Sequence, residues 1–251
     1  MDLDSQRKQD SRDVLTVYPR SRVEEAGTTY FLARARGEKV LVVEGETTGF
    51  EGSPLGDRLF CPLTAPNAAA LRERLPWLCP QTLGLKASAG FGDRLGLATP
   101  GHIRAARWAG TLVPIFAQQS IRENARTGRT PQQVMDDAMW GVFQEGWQQP
   151  WGADADHLKT TGDIDVCVAA GYTFYTVDPG DHVDNKAHTA PADVLETKLA
   201  ALPWDQLGDT VEAMRQRYLD RIFEVEALCL AFTETSLARA AAKYGRALSH
   251  A

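Results

Sequence analysis

"WGADADHLKTTGDIDVCVAAG", Trp151 to Gly171, is the stretch that decides the fold. Its first part, "ADADHLKT", reads as a short strand. Its second part, "TGDIDVCVAAG", shifts to helical spacing, with Ile164 and Val168 on one side and Gly171 as the stop. Between the two, Asp154, Asp156, His157 and Lys159 crowd the strand end. Charge placed where a strand gives way to a helix marks the carboxyl-end face of a βα sheet, since the strands themselves are covered on both faces.

The same unit recurs on either side. "TLGLKASAG" (82–90) reads as a strand, "GFGDRLGLATPG" (90–101) as its loop, and "TPGHIRAARWAG" (99–110) as a helix capped by Thr99. "TLVPIFAQQS" (111–120) is a second strand. "TGRTPQQVMDDAMWGVFQEGW" (127–147) is a helix with Thr130 and Gln133 as a capping box and Pro131 at its first position. Val134, Ala138 and Val142 recur at four-residue spacing beside Met139, Phe143 and Trp147, forming one apolar face. "YTFYTVD" (172–178) is a fourth strand, ending in "PGDHVDN". Repeated strand, loop and helix with short gaps mean a parallel sheet. Polar residues close every strand: Ser88, Gln118–Ser120, Asp156–Lys159 and Asp178–Asn185. An open doubly wound sheet gathers its polar groups at one crevice, so this distribution favours a barrel mouth. The expected class is α/β, TIM-barrel-like.

A barrel needs eight such units, and four are legible. The sequence therefore reads as the first half of a barrel: either the N-terminal portion of a longer enzyme or a half-barrel whose edges require a partner. Residues 1–80 differ in character. A polar leader, "MDLDSQRKQDSRD", is expected to be frayed. Thr28–Gly45 reads as two strands joined by a polar turn at Arg36–Lys39, and "NAAALRERLPW" as a helix stopped by Pro76. The expected division is thus a leader and small α+β subdomain over 1–80, then βα units with a helical tail over 81–251. In that tail, Thr189 is expected to cap one helix. "DQLGDTVEAMRQRYLDRIFEVEAL" (205–228) is read as a second, with Leu207, Val211, Met214, Tyr218, Ile222 and Val225 on one stripe. "TETSLARAAAKYGRALSHA" is the last.

Composition narrows the function. The net charge is -6 with no basic stripe, which argues against a nucleic-acid partner. No apolar run reaches the length of a membrane span, and the leader lacks a signal-peptide core, so a cytoplasmic protein is expected. Cys61, Cys79, Cys167 and Cys229 form no C-x-x-C pair and are read as reduced, small apolar residues.

The candidate chemistry lies at the strand ends. Strand alternation sends Asp154, Asp156 and Leu158 one way and Ala155, His157 and Lys159 the other. A neutral imidazole is a good divalent-metal ligand and a neighbouring carboxylate a serviceable base. The competing reading is a solvated strand end with His157 bonded to a backbone carbonyl. Asp178, Asp181, His182, Asp184 and Asn185 offer further oxygen and nitrogen ligands, or else an Asx-rich turn around Pro179–Gly180. Arg94, after Gly90 and Gly92, suits a substrate carboxylate. Gln118 suits a sugar hydroxyl or a loop cap.

Taken together, "GFGDRLGLATPGH", "PIFAQQSIRE", "GRTPQQVMDDAMWGVFQEGW", "WGADADHLKTTGDID" and "FYTVDPGDHVDN" resemble the tagaturonate epimerase family, also called tagaturonate/fructuronate epimerases, from about Leu83 to Tyr244. The resemblance implies a metal-dependent enzyme of hexuronate catabolism that interconverts D-tagaturonate and D-fructuronate by inversion at C4. It implies Asp156 as proton acceptor and His157 as ligand of a divalent cation, both within "ADADHLK". The family's proton donor and other metal ligands lie further along a longer chain. The implied partner is a small keto-hexuronate, with a homo-oligomer or a missing C-terminal half as the polypeptide partner; by their own chemistry, Arg94, Gln118, Lys159, Asp178 and His182 are the residues expected to bind the substrate. Two other functions fit the same residues: a non-catalytic half-barrel that serves as an interaction module, and a metal-dependent ketose/aldose isomerase.

Overall fold

A computed structural model describes residues 15–251 except Arg36. The frayed leader expected over residues 1–13 lies outside the described residues, as does Arg36 of the expected turn. The chain forms two compact units, the first ending at Thr176 and the second running from Val177 to Ala251.

The first unit opens with an antiparallel sheet: β1 (Thr16–Val17), β2 (Val23–Glu25), β3 (Thr28–Ala35), β4 (Glu38–Glu44), β5 (Ser53–Leu55) and β6 (Arg58–Pro62). Its order is β1-β3-β4-β6-β5, with β2 also on β3. Pairing between β3 and β4 already resumes at Ala35↔Glu38, so the turn is shorter than the sequence implied. Alternation divides the hairpin between two faces: Tyr30, Leu32, Leu41 and Val43 enter the main core, while Phe31, Ala33 and Val42 form a second cluster. Helix α1 (Ala65–Arg74) follows and stops before Pro76.

Then come β7 (Ser88–Gly90), α2 (Thr99–Ala109), β8 (Val113–Ser120), α3 (Ile121–Thr127), α4 (Pro131–Glu145), β9 (Gly152–Leu158), α5 (Thr161–Ala169) and β10 (Phe174–Val177). The four strands form one curled sheet in the order β10-β9-β8-β7, with β7–β8 and β8–β9 parallel. This is the α/β half-barrel arrangement expected from the repeated units.

Helix α4 carries the capping box read from the sequence. Two-thirds of it is buried, including Val134, Ala138, Val142, Met139 and Phe143. It shares one core with Phe116 and Trp151 of the parallel sheet region and Leu32 and Leu41 of the antiparallel one. Burying each such large side chain contributes about 1.5–3 kcal/mol.

Three local expectations are corrected. The first strand is confined to Ser88–Gly90 because it is an edge strand paired only with β8, and Leu85 before it is fully exposed. Thr99 does not cap α2 but is its first residue; the orphan N–H groups there are collected by Asp93 instead. Along α5, Ile164 packs on the core, whereas Val168 is exposed.

The second unit contains α6 (Ala192–Ala200), α7 (Trp204–Leu207), α8 (Val211–Tyr218), β11 (Ile222–Val225), β12 (Leu228–Ala231) and α9 (Glu234–His250). Its core is built on Leu195, Leu199, Met214, Leu237 and Ala242. Thr189 does not cap α6, whose N-cap is Pro191. The helix expected over 205–228 is also overturned. Asp220 takes φ +55 after Tyr218, and Ile222–Val225 pairs antiparallel with Leu228–Ala231 across a two-residue turn. Ile222 and Val225 fitted a helical stripe by spacing, yet both are exposed, so no core rewards that stripe. Cys229 on this hairpin is exposed, unlike buried Cys61 and Cys167; all four cysteines are free. Among the described residues no helix is long and apolar enough to cross a membrane.

Candidate active site at the strand ends

The carboxyl ends of β7–β10 bring four residues into a row. Gln118 of β8 and Asp154 of β9 are register partners. The Gln118 amide donates to Asp154 Oδ2 at 2.9 Å, and the Thr176 hydroxyl of β10 bonds Asp154 Oδ1 at 2.9 Å. On the other side, the Gln118 amide lies against Gly90 of β7, where a Cβ would stand 2.2 Å from Gln118 Oε1. A side chain at 90 would press on that amide, so glycine leaves room for the row.

Asp154 is 4% exposed. Burial pushes its carboxyl above the ordinary aspartate range. The bonds from Gln118 and Thr176 act against that, the charge of Asp156 adds to it, and the net direction is upward. The sequence reading did not single out Asp154 as a site residue. The D-A-D alternation was the available signal, because it puts Asp154 on the same strand face as Asp156.

One pleat further on, Asp156 and His157 meet: His157 Nδ1 lies 2.6 Å from Asp156 Oδ1. Adjacent residues on a regular strand point to opposite faces. They meet here because His157 adopts φ +57. The other described non-glycine residues at positive φ, Ala26, Asp220 and Glu226, all sit in turns; His157 alone does so within a strand. An ionised carboxylate only accepts, so a neutral ring in this contact donates from Nδ1 and keeps its lone pair on Nε2. With its side chain half-exposed, His157 presents that lone pair at the strand end. This is the pairing that orients ligand imidazoles.

The sheet supports this mouth from behind. Ser120 ends β8 and caps α3 by accepting the Glu123 N–H. Arg129, largely buried, donates to the Asp93 carbonyl, Gln119 Oε1 and Asp137 Oδ2, joining the β7 loop, the β8 end and α4. Arg94 is exposed beside this loop and pairs with Glu123 at 3.1 Å. Lys159 lies exposed in the β9–α5 loop, and its backbone N–H donates to Asp163 Oδ2 at 3.1 Å. Asp178 and His182 belong to the second unit. Asp178 accepts the Gly180 N–H in an Asx turn, and His182 stacks on His250 with ring centroids 4.0 Å apart.

The donor set for a divalent cation is incomplete. His157 suits one position, but among the described residues no three His, Cys, Asp or Glu side chains converge on a common point. A catalytic metal site usually draws on about three protein ligands. Among the described residues, the side chains present therefore do not make up a complete centre.

A curled parallel βα sheet with polar side chains at its strand carboxyl ends gives this chain the architecture of a partial βα barrel. The chain belongs to the tagaturonate epimerase family, whose model matches residues 18–251. It is 40% identical over 242 residues to the tagaturonate/fructuronate epimerase of Thermotoga maritima, covering 93% of this chain and 48% of that protein. The native crystal structure of the fructuronate-tagaturonate epimerase from Cohnella laeviribosi matches at 36% identity with a TM-score of 0.86, over 98% of this chain and 50% of that one. A glycerol complex of the same enzyme gives a TM-score of 0.85. The chain thus spans about half the length of the relatives it matches.

Proposed function

We propose that this chain supplies the first half of a barrel that epimerises a keto-hexuronate at C4, interconverting tagaturonate and fructuronate by retro-aldol chemistry. The observation that carries the reading is the Asp156–His157 pair at the end of β9, in a chain of this family. With the ketone at C2, loss of a proton from C4 would give an unstabilised carbanion. Instead, Asp156 takes the proton of the C4 hydroxyl as general base. The C3–C4 bond breaks, C4 becomes an aldehyde, and the bonding electrons pass into the C2 ketone as an enediolate. The aldehyde turns, the C3–C4 bond re-forms on its other face as the enediolate returns to the C2 ketone, and the new C4 alkoxide regains a proton. A divalent cation held by His157 Nε2, completed by ligands from the rest of a full barrel, would supply Lewis-acid stabilisation of negative charge. Arg94 and Lys159 would hold the substrate carboxylate, and Gln118 a hydroxyl.

The test is conversion of C4-deuterated tagaturonate in light water with added divalent cation, followed by NMR. Retention of deuterium in the product is expected, and washout overturns the retro-aldol route. Undiminished turnover in Asp156→Asn removes that residue as base. A second reading, a half-barrel that binds another chain without catalysis, is favoured by the incomplete ligand set. Absence of turnover by the wild-type chain with every cation tried supports it.

A further inference from the structure

We propose that Asp154 and Asp163 are positioning residues that clamp the backbone on either side of His157, holding it in the left-handed conformation that turns its ring onto Asp156. This deepens the reading of Asp156–His157 as the reactive pair and rests on it. A residue with a Cβ does not keep φ +57 in a strand unless its surroundings over-determine it.

Upstream, Asp154 is fixed by bonds to both neighbouring strands, at 2.9 Å to Gln118 and 2.9 Å to Thr176. Downstream, Asp163 Oδ2 accepts the backbone N–H groups of Lys159 at 3.1 Å and Thr160 at 2.9 Å, while the Asp163 N–H donates to Thr160 Oγ1 at 3.2 Å. The irregular segment is therefore pinned at both ends, with His157 between them. A buried carboxyl is a poor choice for packing alone, since burial disfavours its charge. It is a good choice where one side chain must join two strands, because its two oxygens reach Gln118 and Thr176 separately.

The experiment reads the His157 ring tautomer by long-range proton–nitrogen NMR on the full chain labelled at histidine, without substrate or metal. His157→Gln assigns its signal among the five histidines. The wild type is expected to show the Nδ1–H form, imposed by Asp156. Asp154→Ala and Asp163→Ala are expected to shift the population toward the Nε2–H form that unconstrained imidazole prefers. Asp154→Asn retains an acceptor for Gln118 and a donor for Thr176 Oγ1, and is expected to keep the wild-type signature. Thr176→Val removes one of the two bonds and is expected to shift the population part of the way. Folding is monitored by the other four histidine signals. The proposal is overturned if folded Asp154→Ala retains the Nδ1–H form, or if Asp154→Asn loses it as fully as Ala does. If Asp154→Ala does not fold, unchanged tautomers in Thr176→Val and Asp163→Ala overturn it equally. Because no turnover is measured, failure of the epimerase reading would leave this result standing.

Discussion

His157 offers a direct measurement of backbone strain at the site, through the pair His157→Ala and His157→Gly. The side chain is 52% exposed, so truncating it forfeits little burial. Its hydrogen bond with Asp156 is worth about 0.5–1.5 kcal/mol. Both variants lose those terms equally. They differ at φ +57, where an alanine Cβ costs about 1–2 kcal/mol. Glycine avoids that cost but gives back about 0.5–1 kcal/mol through the greater freedom of its unfolded chain. The glycine variant should therefore be more stable than the alanine variant by about 1 kcal/mol, which corresponds to about 2–4 °C in Tm for a chain of this size. Thermal and urea unfolding followed by tryptophan fluorescence would read this out, because five of the six tryptophans lie in the first unit. An alanine variant at least as stable as the glycine variant would refute the strain at 157, and with it the reason for clamping the strand end.

Three further outcomes are expected. Asp93 accepts the backbone N–H groups of Leu95, Gly96, Leu97, Ala98 and Thr99, so Asp93→Ala should cost about 3–6 kcal/mol in urea unfolding even if only two of those charge-assisted bonds count in full. Burial raises the Asp93 carboxyl, but those N–H bonds outweigh it and hold it below the usual range. Its contribution is therefore present above about pH 4 and lost as pH falls through the lower folded value, a loss that an acid titration of stability in Asp93→Ala should lack. Asp154 has the opposite sign: its folded value is raised, chiefly by burial, so its contribution is full below about pH 4 and lost as pH rises through that value. Asp154→Asn should flatten this part of the urea midpoint profile and be no less stable than the wild type at pH 7. Gly146 ends α4 at φ +57, with its missing Cβ 2.4 Å from the Arg20 carbonyl oxygen. Gly146→Ala should cost at least about 2 kcal/mol, and a Tm equal to the wild type would contradict that packing.

The helices that announce themselves locally were legible. Thr130 and Gln133 form the capping box of α4 with Pro131 at its first position, and the apolar face of α4 follows the 3.6-residue period. These signals arise from contacts a few residues apart, so they are written in the order of the chain. The tail misread at Ile222–Val225 shows the limit of that method. Its spacing satisfied a helix, and only the pairing with Leu228–Ala231 and the lack of a core on that side decided for a strand.

The candidate site divides along the same line. Asp156 and His157 were picked out by residue type at a predicted strand end, and the family motif pointed to the same two positions. Asp154 was passed over because its meaning depends on Gln118, 36 residues away, and Thr176, 22 residues away. The cap at Asp93 was likewise assigned to the wrong residue, since a loop had to fold back before its carboxylate could reach the α2 amides. By itself, the sequence determined the parallel βα rhythm, the half-barrel class and the charged strand end, all of which follow from local periodicity and residue chemistry. The tertiary structure decided that His157 turns toward Asp156 rather than away from it. That choice depends on a backbone angle, held by bonds between strands that the linear pattern cannot express.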